Sequence, residues 1–101
     1  MIFHITDTVT WQQSQLQGQH TESTRGVDLE EEGYIHCSTE EQWKGVLERF
    51  YADATDLILL YVDEQRLTSP LVYEQLPGVP DTFPHIYGPI NLDAVVRTER
   101  I

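Results

Sequence analysis

Residues 2–6 read Ile-Phe-His-Ile-Thr, which in an extended segment sends Phe3 and Ile5 to one face and Ile2, His4 and Thr6 to the other. This alternation predicts a half-buried strand. Asp7 or Thr8 then caps a short helix carrying Trp11 and Leu16 and ended by Gly18, and residues 19–32 show no period and read as irregular. Residues 33–38 resume a strand. Ser38 has Glu41, and Thr39 has Gln42, at capping-box spacing, so a second helix begins there. Along it Trp43, Val46, Leu47, Phe50 and Tyr51 form one apolar stripe, each residue worth about 1.5–3 kcal/mol if fully buried.

Residues 57–62, Leu-Ile-Leu-Leu-Tyr-Val, are apolar at consecutive positions, as in a central strand covered on both faces. Residues 64–70 connect it to a fourth strand, 71–76, and residues 77–89, with four prolines and two glycines, read as a long loop. A last strand runs around Ala94–Thr98. Strands outnumber helices and are not separated by regular helices. The pattern predicts a single α+β domain over residues 1–101, a mainly antiparallel twisted sheet with two helices.

Composition narrows the function classes. At 101 residues there is room for one modest core. No run approaches the length of a membrane span, and the start lacks the basic and apolar regions of an export signal, so a cytoplasmic location is expected. A lone Cys37 fits a reducing compartment. Seventeen acidic against six basic residues give a net charge of −11, which repels a phosphate backbone and argues against DNA or long RNA as a partner.

The candidate chemistry centres on histidines. Strand geometry separates His36 from its neighbour Cys37, because Ile35 and Cys37 face one way and Tyr34, His36 and Ser38 the other. Cys37 therefore reads as a small core residue, not a nucleophile activated by His36. His4 sits between Phe3 and Ile5 as His36 sits between Ile35 and Cys37, so both imidazoles emerge opposite an apolar face, where they can share one cleft. His85 lies beside Tyr87 in a segment made rigid by Pro84, Gly88 and Pro89. His20, in polar surroundings, reads as a surface residue. Glu74 is a carboxylate on a strand. No HExxH, CxxC, phosphate loop or nucleophile elbow is present, so no metal ligands are assigned; a histidine-based metal hydrolase using His4, His36 and His85 stands as an alternative.

Four segments, "IFHIT", "EEGYIHCST", "LVYEQ" and "FPHIYGPINLDAVV", in this order resemble the small bacterial family catalogued as domain of unknown function 952, over nearly the whole chain. That family is similar to the ADP-ribosyltransferase superfamily, with RNA 2′-phosphotransferases as the nearest analogue. The resemblance implies an ADP-ribosyltransferase-like fold and a pocket for NAD or a related small-molecule nucleotide. It implies that His4 bonds the ribose, that His36 lines the nicotinamide pocket with Ser38 in support, and that Glu74 or His85 supplies the third catalytic group. Tyr34 or Tyr87 would stack on the leaving ring, and Arg25 would pair with the pyrophosphate. The alternative in a different class is a non-catalytic module that keeps the pocket and binds a small ligand or a protein.

Overall fold

In a computed structural model, which describes all 101 residues, the alternating N-terminal run forms β1 (Ile2–Asp7). Asp7 caps the next helix, its Oδ1 accepting from the Thr10 N–H at 2.7 Å, and α1 (Thr8–Gln17) stops at Gly18, whose φ of 89° suits a residue without Cβ. Residues 19–32 are not irregular, as their sequence suggests. They form β2 (Gln19–His20), β3 (Glu22–Thr24), β4 (Val27–Asp28) and the four-residue helix α2 (Leu29–Glu32), which Asp28 and Glu31 close as a capping box. Strands this short carry no readable period.

The strand expected over 33–38 is regular only at β5 (Ile35–His36). The next helix, α3 (Trp43–Phe50), begins later than its capping pattern suggests. Thr39 opens a turn instead: its carbonyl accepts from the N–H groups of Gln42 and Trp43, and Gln42 Oε1 accepts from the Thr39 N–H at 3.0 Å. The strands β6 (Leu57–Val62), β7 (Leu71–Gln75), β8 (Thr82–Ile86), β9 (Ile90–Asn91) and β10 (Val95–Arg100) follow. The fold is mixed, with mostly antiparallel sheets and three helices, one more than the periodicity indicates. No helix is long and apolar enough to cross a membrane.

The apolar run of β6 does lie at the centre of a sheet, ordered β1-β6-β10. One face of that sheet, with Phe3, Ile5, Leu57 and Leu59, packs beneath Trp43, Val46, Leu47 and Tyr51. The other face, with Ile2, Ile58, Leu60 and Val62, packs against Ile35, Cys37 and Ile86 of a second sheet, ordered β5-β8-β7. The central strand of that second sheet falls in the segment expected to be loop. β8 holds Pro84 in mid-strand, which sequence reasoning treats as a strand breaker. The Pro84 carbonyl accepts from the Cys37 N–H at 3.0 Å, but Pro84 has no N–H to return. Pairing between β5 and β8 therefore ends there, and the chain crosses to β1 through a single bridge between Ser38 and Phe3.

Two glycines test the packing in opposite directions. At Gly88, φ 154°, an added Cβ would sit 2.8 Å from Ser69 Cβ, and the Ser69 hydroxyl is already committed to the Pro89 carbonyl at 2.7 Å. Gly45, inside α3, faces open space. Gly88→Ala is expected to lower the unfolding free energy by about 1–3 kcal/mol, and Gly45→Ala to raise it by about 0.5–1 kcal/mol. Urea unfolding midpoints of the two variants check both signs.

Candidate functional site at the divergence of the two sheets

Beyond the Phe3–Ser38 bridge the sheets separate, and the hollow between them is a cavity of about 290 Å³. His4, His36 and Ser38 border it, α3 closes one side with Val46, Arg49 and Phe50, and Leu76, Val79 and Phe83 close another. The two histidines read from their matching strand contexts thus reach one cavity, in different ways. His4 is 2% exposed, and its Nδ1 donates to the His36 carbonyl at 2.7 Å. A carbonyl only accepts, so in the neutral ring Nε2 bears the lone pair, and that atom is buried without a partner. Burial pulls the His4 pKa down to about 4, against the opposing pull of the His36 and Glu22 carbonyls.

His36 is partly exposed and pairs in register with His85, on the opposite side of the strand from Ile35 and Cys37. Its pKa is lowered by burial and then by the nearby His85, while Glu32, with Oε1 3.4 Å from Nε2, pulls the other way. Cys37 is core, as expected, and burial pushes its thiol well up, away from the reactive thiolate.

Around His85 the sheet carries a compact polar and aromatic group. Tyr34 stacks on the His85 ring at 4.1 Å and 19°, leaving His85 1% exposed. His85 Nδ1 donates to Glu74 Oε1 at 2.8 Å, and the Tyr87 hydroxyl donates to the same oxygen. These two bonds, Tyr87 first, hold the Glu74 carboxyl below the usual carboxylate range; donating a hydrogen bond to Glu74 pushes Tyr87 up to about 12. Both third-residue candidates, Glu74 and His85, therefore belong to one hydrogen-bonded unit. Glu74 pairs in register with Phe83, which lines the cavity, but neither Glu74 nor His85 itself borders it.

Arg25 is not at this cavity. Its guanidinium pairs with Asp53 at 2.7 Å and bonds the Phe50 carbonyl at 3.2 Å, bordering a separate hollow. The cation on the cavity rim is Arg49, which makes no ion pair. In the sequence Arg49 is only a charge between stripe positions, and nothing marks it out.

His20 is not a surface residue. It is fully buried, with Nδ1 2.7 Å from Ser14 Oγ and its ring 4.9 Å from that of His4. Polar sequence neighbours hid this, since β2 is only two residues long. The histidines His4, His36 and His85 form no ligand cluster of the kind a metal hydrolase requires. One ring nitrogen each of His4 and His20 and a carboxylate oxygen of Glu22 do lie within 4.8 Å of one another, and Glu22, its pKa raised by burial, accepts from the Thr6 hydroxyl at 2.8 Å.

A family model described as "Protein of unknown function (DUF952)" matches residues 5–98. The chain belongs to the DUF952 family. The crystal structure of protein CC0527 from Caulobacter crescentus is similar to this DUF952 chain at 30% identity and a TM-score of 0.83, over 97% of this chain and 82% of that one. The solution NMR structure of CC0527 agrees at 29% identity and a TM-score of 0.81, over 99% of this chain and 83% of that one. No curated protein matches the chain.

The buried imidazoles make the stability of this DUF952 protein depend on pH. His4 and His20 have folded pKa values of about 4 and about 3, below the unfolded value of 6.5, so the unfolded chain binds more protons as pH falls. The stabilising contribution is complete above pH 6.5 and is lost as pH falls towards the folded values. Between pH 7 and 5, above the ordinary carboxylate range, the loss is on the order of 2 kcal/mol per histidine. Urea unfolding at the two pH values, in chelator-containing buffer, measures it, and His20→Gln is expected to reduce the difference by about 2 kcal/mol.

Proposed function

We propose that the protein binds a nucleotide of the NAD type in the cavity between the two sheets and acts on it as an ADP-ribosyltransferase-like enzyme. The observation that carries this reading is one cavity bordered by His4, His36 and Ser38, with apolar and aromatic walls and a cation, Arg49, in its lining, and with Glu74 in register with the lining residue Phe83. Its volume of about 290 Å³ is at the small end for ligand pockets, enough for a nucleoside-sized half of a dinucleotide, with the phosphates left at the rim.

Breaking the bond between nicotinamide and ribose passes through an oxocarbenium-like state, which is favoured by held ribose hydroxyls, a stacked leaving ring and a nearby negative charge. Phe50, 61% exposed on the cavity wall, and Phe83 offer faces for the leaving ring. Tyr34, already stacked on His85, supports the site from behind. The Ser38 hydroxyl has no protein partner, and it and His36 reach the ribose in this reading. His4 is a positioning residue: its Nδ1 is spent on the His36 carbonyl and sets the strand that carries His36. Glu74 supplies charge through Oε2, since Oε1 already accepts two bonds. Arg49 takes the pyrophosphate role that the resemblance implies for Arg25.

The second reading, binding without chemistry, draws on the same Glu74, whose carboxylate is held by Tyr87 and His85. Incubation with NAD divides the two. Transferase activity is expected to release nicotinamide, with Glu74→Gln keeping NAD binding but slowing release by about 100-fold or more. Binding with no release supports the module. If millimolar NAD moves neither the His36 nor the Ser38 resonances in protein-observed NMR, the nucleotide reading fails.

A further inference from the structure

His4 Nδ1 donates to a carbonyl, so its neutral ring has a lone pair at Nε2. For His20 the same follows one step removed. Ser14 Oγ lies 3.1 Å from the Thr10 carbonyl and 2.7 Å from His20 Nδ1; with its hydrogen on the carbonyl, the hydroxyl accepts from Nδ1 and His20 Nε2 bears a lone pair. Both Nε2 atoms are buried and have no hydrogen-bond partner. The third group is the Glu22 carboxylate, already oriented by Thr6. A ring nitrogen of each histidine and a Glu22 carboxylate oxygen lie within 4.8 Å of one another, and leaving the two buried imidazole acceptors unsatisfied is costly. One cation at their centre satisfies all three.

We propose that His4, His20 and Glu22 bind a divalent metal ion of the zinc class, which ties β1, β2 and β3 together at the base of the cavity. Two imidazoles and a carboxylate are a usual zinc donor set, and three protein ligands leave a fourth position for water. Around tetrahedral zinc, ligand atoms stand about 3.3 Å apart, so a cluster within 4.8 Å is a side-chain adjustment from that geometry. Each ligand is also held from behind: His4 by the His36 carbonyl, His20 by Ser14, Glu22 by Thr6. Such outer contacts fix the tautomer and orientation of metal ligands. The ion would steady a weakly held part of the fold, since β2 and β3 are strands of two and three residues paired only to β9 and β4. Ser23 and Thr24 of β3 line the cavity, so the clamp also positions its wall.

Chelator-stripped protein titrated with Co²⁺ and Zn²⁺ tests this. One equivalent of Co²⁺ is expected to give the visible d–d absorption of a four-coordinate nitrogen and oxygen site, and Zn²⁺ to displace it and raise the thermal unfolding midpoint. In imidazole NMR of the unaltered protein, Zn²⁺ should move the Nε2 resonances of His4 and His20 and leave those of His36 and His85 in place. Glu22→Gln, which removes a ligand charge at constant size, and Thr6→Val, which removes the hydroxyl behind it, should each weaken Zn²⁺ binding about tenfold or more. The proposal is overturned by no cobalt band and no rise in midpoint at about millimolar metal, by unweakened binding in both variants, or by a response at His36 and His85 instead. If either variant fails to fold, the imidazole spectra decide. Neither His20 nor Glu22 borders the cavity, so failure here leaves the nucleotide reading standing, and the converse holds.

Discussion

Phe3 donates its N–H to the Ser38 carbonyl and Ser38 returns one to Phe3, both at 2.8 Å, and this one residue pair joins the two three-stranded sheets. Had the antiparallel register continued, the His36 carbonyl would have met the Ile5 N–H, the sheets would have fused, and no cleft would exist. Two side chains stop it. His4 places its imidazole on the His36 carbonyl, filling with a ring nitrogen the bond that backbone would have made. On the other edge of β5, Pro84 accepts from Cys37 but has nothing to donate. The cavity is thus produced by a ladder halted on both sides of a two-residue strand.

Halting a sheet in the interior leaves polar atoms to be satisfied, and histidine is suited to that task. A neutral imidazole offers one donor and one acceptor on a rigid apolar ring, so it packs among aliphatic side chains while reaching a backbone carbonyl. His4, His20 and His85 each use Nδ1 in this way, towards a carbonyl, a hydroxyl and a carboxylate, and each keeps Nε2 buried without a partner. Three such nitrogens in a small chain are a concentration of unspent acceptor capacity, and they flank the place where the sheets diverge. Architecture and candidate chemistry rest on the same side chains: the ring that ends the ladder is the ring with a free lone pair.

Much of this was legible in the sequence where a segment was long enough to show its period. β1, α1, the central position of β6, and β7 follow from alternation, capping and apolar runs, and the opposed facing of His36 and Cys37 follows from strand geometry alone. What failed to show was set by contacts distant in sequence. Pro84 reads as a loop residue because its missing N–H counts against any strand, yet it tolerates the centre of a sheet whose partner strand is two residues long. His20 reads as exposed between Gln19 and Thr21, since only the fold of β2 against β9 brings it beside His4. Arg49 follows the same logic, an ordinary helix charge until Leu76, Val79 and Phe83 close the far side of the cavity it lines. The pairing of Glu74 with His85 and Tyr87 needs the cross-strand register, which turn residues in the 77–81 connection do not specify.

Charge adds a last constraint on what these sites accept. With a net charge of −11, the molecule's field repels anions and draws cations, and the rim of the cavity carries only Arg49 against it. A wholly anionic nucleotide therefore gains little from long-range attraction and depends on short contacts. The proposed NAD-type ligand, whose nicotinamide ring is cationic when joined to ribose, would gain from the field at that ring. The proposed divalent ion at His4, His20 and Glu22 would be favoured more strongly still, because its charge is met by a half-buried carboxylate that makes no ion pair. Added salt weakens the field and not the short contacts, so the ionic-strength dependence of binding separates the part played by overall acidity from the part played by the site.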